Sequence, residues 1–95
     1  MKIRWEDEAR ADLKMIISFI KKDNPTAARR VHEEVKKAVQ TLARYHQFGR
    51  IGRVINTREL VIPSLPYIIV YYIKDQEIRI LSVMRPCLLT PTPLE

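Results

Sequence analysis

A single cysteine, Cys87, rules out an intrachain disulfide. Stability must come from packing, and this cysteine usage fits a reducing compartment. Glycine is nearly as scarce: the chain has two, Gly49 and Gly52, and both fall in one short connection. Aromatic residues make up 7% of the chain, so the core must be chiefly aliphatic. No apolar run approaches the roughly 18 residues that span a bilayer. The opening MKIRWEDEAR is too acidic and too polar for a signal peptide, so a cytoplasmic protein is expected. His32 and His46 are far apart, with the lone cysteine more distant still, which is not metal-ligand spacing. Neither a metal nor a cofactor is expected.

What is present is positive charge. Seventeen Lys and Arg residues face eleven Asp and Glu, a formal net charge of +6 over 95 residues. That length fits one domain, which buries only about 60–65% of the surface its unfolded chain exposes. A thin, basic domain favours an anionic partner: nucleic acid, acidic membrane or an acidic protein segment. Both glycines and Arg50, Arg53 and Arg58 lie in the stretch GRIGRVINTREL.

Hydrophobic periodicity gives the element order. Ile3 and Trp5 alternate with Lys2 and Arg4, a half-buried strand pattern. Ala9, Leu13, Ile16, Ile17 and Ile20 then recur at helical spacing over Asp7 to Lys22, and Met15 and Phe19 widen the apolar arc towards two contact sides. Asn24 followed by Pro25 starts a second helix running to about Tyr45, with the stripe Ala28, Val31, Val35, Ala38, Val39 and Leu42. Glu33 and Lys37 have the spacing of an outward ion pair. So short a connection predicts an antiparallel helical hairpin. The glycines are expected to supply backbone angles closed to other residues, turning the chain out of the helix. RELVIP, PYIIVYYI and IRILSV read as strands, the last two central because they are apolar on both faces, with KDQE as the polar turn between them. The expected fold class is α+β, in the order β-α-α-β-β-β. A helical hairpin packs on a small, mainly antiparallel sheet over residues 1–84, and residues 85–95 form an irregular tail.

In this order, several phrases resemble the RelE/ParE superfamily of toxins from type II toxin–antitoxin systems. Ala9, Asp12 and Leu13 match in the first helix, DNPTAARRV at the hairpin turn, GRIGRV and TREL at the helix-to-strand connection, and PYIIVYYI with IRILSV in the paired strands. The combination leans towards the ParE branch and covers residues 3 to 84. The family's last strand usually leads into a histidine or lysine, then one or two arginines, often before a tryptophan–proline pair. Here the segment is VMRPCLLTPTPLE, in which Arg85 stands for one of those arginines.

The resemblance implies a plasmid-stabilising toxin that binds DNA gyrase, performs no chemistry of its own, and is neutralised by an acidic antitoxin that wraps it. A homodimer or a toxin–antitoxin heterotetramer would be the assembly. Two alternatives stay open. One is a RelE-like, ribosome-dependent mRNA endonuclease, for which Arg58 and Arg85 are the candidate catalytic cations. The other is a degenerate toxin that only binds its antitoxin. Arg50, Arg53, Arg58 and Arg85 are candidate target- or antitoxin-binding residues, and so are Lys21, Lys22, Arg29 and Arg30 at the hairpin tip. Against this stand the ordinary roles of such side chains: solvated charge, stems that cover apolar surface, and dipole compensation at helix ends. Tyr67, Tyr71 and Tyr72 read as core aromatics, His32 as exposed surface, and Cys87 as an idle thiol.

Overall fold

The computed structural model describes residues 1–63 and 65–85. The elements are β1 (Lys2–Trp5), α1 (Asp7–Asp23), α2 (Pro25–Arg44), β2 (Arg50–Ile51), β3 (Arg58–Val61), β4 (Ile68–Lys74) and β5 (Glu77–Met84). They follow the expected order with one addition, the two-residue strand β2. One mixed sheet runs β1-β5-β4-β3-β2. β2 to β5 are antiparallel neighbours, whereas β1 pairs in parallel with β5, placing Ile3 beside Ile78 and Trp5 beside Ile80. The two strands read as central are flanked on both sides.

The break between the helices follows from local chemistry. Asn24 Oδ1 accepts the Ala27 N–H at 3.0 Å, and Pro25 occupies the first turn of α2, where no amide donor is needed. Lys21 and Lys22 lie in the last turn of α1, at its negative pole. The α2 stripe is buried from Ala28 to Leu42 as its spacing predicts. From Val31 onward it packs with Ala9 of α1 against Leu60, Ile62, Ile69, Tyr71, Ile78, Ile80 and Val83 of the sheet region. Burying a side chain such as Leu42 or Ile80, each fully enclosed, contributes about 1.5–3 kcal/mol. Asp12 fastens α1 to β5: its Oδ2 accepts from Ser82 Oγ at 2.8 Å and from the Val83 N–H at 3.3 Å.

Three local expectations are corrected. Lys37 pairs at 3.9 Å with Glu34, one turn back at i,i+3, and not with Glu33. Neither glycine has a positive φ; among the described residues the left-handed positions are Asn56, Asp75 and Gln76, the last two forming the two-residue β4–β5 turn. Met15 and Phe19 do not find a second packed side but stand exposed. The tail expected over 85–95, with Cys87, lies outside the described residues apart from Arg85.

Candidate functional site

The connection from α2 to β3 is fastened from beneath by a tyrosine. Tyr71, on β4, is fully buried. Its hydroxyl donates to the His46 carbonyl at 3.0 Å and accepts the Gly49 N–H at 2.9 Å. Burial pushes its pKa above the ordinary 10.0, partly opposed by the Gly49 hydrogen bond and by nearby Arg58. Gly49 is required by space: a Cβ there would lie 2.6 Å from the Tyr71 hydroxyl oxygen. Gly52 is equally confined, because a Cβ would collide with Thr57 Oγ1. Arg58 closes the loop from the other side, donating from Nη1 to the Gly49 carbonyl at 2.9 Å and to the Gln47 carbonyl at 3.4 Å. Thr57 Oγ1 donates to the Val54 carbonyl at 2.7 Å, and the Gly52 N–H to the Thr57 carbonyl at 2.8 Å. The loop is therefore tied at both ends and across its middle.

Arg50 and Arg53 converge on one carboxylate. Glu59 Oε1 faces Arg50 Nη2 at 3.5 Å, and Oε2 accepts the Arg53 N–H at 3.3 Å with Arg53 Nε at 4.0 Å. Glu59 is buried while both guanidinium groups remain largely exposed. One carboxylate cannot neutralise two guanidinium groups, so positive charge remains on the surface. Beside this trio lies a cleft of about 580 Å³ lined by Ile51, Asn56, Thr57, Arg58, Tyr72, Ile73 and Lys74. It holds two cations, and no acidic residue lines it among the described residues.

The other expected cations lie elsewhere. Lys21, Lys22, Arg29 and Arg30 are exposed at the hairpin tip. Lys21 and Arg29 border a shallow depression with Ile17, Pro25, Ala28 and His32. Arg85 lines a separate groove of about 340 Å³ with Asp12, Met15, Ile16, Phe19, Tyr67, Val83 and Met84. The eight candidate cations thus occupy three places: Arg50, Arg53 and Arg58 on the loop, Lys21, Lys22, Arg29 and Arg30 at the hairpin tip, and Arg85 at the end of β5. Sequence reasoning missed Glu59, the Tyr71 tether, and the exposure of Phe48, Ile51, Val54 and Ile55. The aliphatic residues were visible in GRIGRVI, interleaved with the arginines, but a two-residue strand on a loop has no period to read. Among the described residues, no group of three or more His, Cys, Asp or Glu is placed to hold a metal ion, and no helix is long and apolar enough to cross a membrane.

Known proteins are similar to this chain in sequence and in fold. A family model described as the ParE toxin of the type II toxin–antitoxin system parDE matches residues 3–85. The Y4kP protein of Sinorhizobium fredii is 46% identical over 83 residues, covering 87% of this chain and 85% of the relative. Toxin RelE2 of Caulobacter vibrioides is 37% identical over 79 residues, covering 83% of this chain and 88% of the relative. Among solved structures, a chain of the chromosomal ParDE toxin–antitoxin system from P. aeruginosa superposes with a TM-score of 0.80 at 26% identity, covering 90% of this chain and 95% of that one. With strand order, helical hairpin and arginine loop in place, and with the family match spanning the sheet and both helices, this chain belongs to the ParE toxin family of type II toxin–antitoxin systems.

Proposed function

We propose that this protein is a ParE-like toxin that arrests DNA gyrase by binding, in the cytoplasm, and is held silent by a cognate acidic antitoxin. The observation that supports this reading is the build of the arginine loop, tethered from within and charged on its surface. Its cations are held by Glu59 and by backbone carbonyls, and aliphatic side chains stand outward between them. A ribonuclease would need a base for the 2′-hydroxyl proton and an acid for the leaving oxygen beside the cations. Tyr71, which pairs with Arg58 across the sheet, is buried with its hydroxyl committed to Gly49 and His46, and Tyr72 is the tyrosine that lines the Arg58 cleft. Arg58 and Arg85, the two cations such chemistry would use, line different clefts.

The residual positive charge suits an acidic antitoxin, and wrapping by that partner would add apolar burial to a small core. The test is supercoiling by purified gyrase. Added toxin should reduce the supercoiled product in a dose-dependent way, and adding the antitoxin should restore it. Translation extracts treated with the same protein should keep their message intact. Unchanged supercoiling with folded protein rejects the gyrase reading; cleaved message replaces it with the ribonuclease.

A further inference from the structure

β2 and β3 form a short antiparallel ribbon at the outer end of the sheet, with Arg50 opposite Glu59 and Ile51 opposite Arg58. Residues 52–57 close it. The Gly52 N–H donates to the Thr57 carbonyl at 2.8 Å and the Thr57 N–H to the Val54 carbonyl at 3.1 Å, which gives the tip a fixed shape. At that tip Val54 is 66% exposed and Ile55 84%. Neighbouring residues on a strand point to opposite faces. Glu59, and with it Arg50 and Arg53, therefore lies on one face of the ribbon. Arg58 lies on the other, where it lines the cleft with Lys74. The ribbon is thus an arm with an apolar tip and cations on both faces.

We propose that this ribbon is a DNA-binding arm whose tip enters the minor groove of a duplex. Phosphates line such a groove on both sides, so a ribbon entering tip first brings one cationic face to each wall. Val54 and Ile55 have the character of the apolar wedges that part base steps from the minor-groove side and bend the duplex. The major groove fits less well, because its pattern of donors and acceptors is read by polar side chains, and here aliphatic ones lead. Single strands fit less well too, because branched aliphatic groups offer no flat face on which a base can stack. An extended acidic peptide would lie along one face of the ribbon and leave the cations of the other unmatched. The assignment goes beyond the gyrase reading, because the contact is with DNA itself and needs no enzyme.

The test is fluorescence anisotropy of the full chain with a labelled duplex of about 20 base pairs, rich in A·T or in G·C, at low salt. Parallel arms use oligothymidine and a polyglutamate peptide. Energy transfer between dyes on the two duplex ends reads bending. The A·T-rich duplex should bind tightest, its ends should approach, and netropsin, which fills the minor groove, should compete. The combined Val54→Ser and Ile55→Ser variant should lose the bend and weaken binding about tenfold while keeping the salt dependence. Lys74→Gln should instead lower the salt slope by about 1. All three side chains are exposed, so thermal melting of both variants should match the parent. No duplex binding at low salt overturns the proposal. So does tighter binding of oligothymidine or polyglutamate. Duplex affinity unchanged in the Val54→Ser and Ile55→Ser variant, with no bend, also overturns it, because that is the plain attraction of a basic protein to a polyanion. Loss of supercoiling without duplex binding would keep the gyrase reading and reject this one; duplex binding without loss of supercoiling would do the reverse.

Discussion

The Tyr71 hydroxyl joins the middle of the sheet to the loop that leaves α2, as acceptor for Gly49 and donor to His46. Tyr71→Phe keeps the ring and removes both hydrogen bonds, stranding a buried N–H. Urea unfolding near neutral pH should show a loss of about 1–3 kcal/mol. The pH dependence has a definite sign. Burial raises the folded-state pKa above the ordinary 10.0, so the contribution is complete below that value. As pH rises further, the unfolded chain ionises first, and stability falls until the folded-state pKa is passed. The parent protein should therefore lose more stability than Tyr71→Phe between about pH 8 and about pH 11, measured as urea midpoints. None of this was legible in the sequence. Tyr71 was readable as a core aromatic, which it is, but its polar partners lie 22 and 25 residues away. Gly49 and Gly52 were legible as a turn out of the helix, whereas their cause, the closeness of Tyr71 and Thr57, is tertiary.

Individual elements were the most readable level, because they are set by neighbours in the chain. The α1–α2 break depends on Asn24 and Pro25, and the structure puts the cap on the Ala27 amide. Asn24→Ala should cost about 1 kcal/mol and lower Tm by roughly 4–8 °C, while Asn24→Gly should lower it much less. A calorimetric scan of both variants checks this; a Tm unchanged in Asn24→Ala would show that the side-chain hydrogen bond contributes nothing. β4 and β5 were legible from their β-branched runs. β2 was not, because Arg50 and Ile51 become a strand only through pairing with Glu59 and Arg58 across the loop. The Glu34–Lys37 pair shows a similar limit: helical spacing offers Lys37 two acidic neighbours, and side-chain rotamers choose between them.

At the scale of the molecule, the class and the packing of the hairpin on one face of the sheet were legible, but the position of β1 within the sheet was not. Alternation in KIRW says only that a strand exists. Its place follows from β5 having a free side after β4 is paired, with the hairpin carrying the chain across. A fragment ending at Gln76 lacks the strand that joins β1 to the rest of the sheet and that anchors Asp12 of α1. Such a fragment should show no cooperative urea transition by circular dichroism, where the full chain shows one. The parallel register of Lys2–Trp5 on Glu77–Ile80 carries this into synthesis. The first strand made waits for the last before the sheet can close, so the fold cannot be completed while the C-terminal strand is still inside the ribosome.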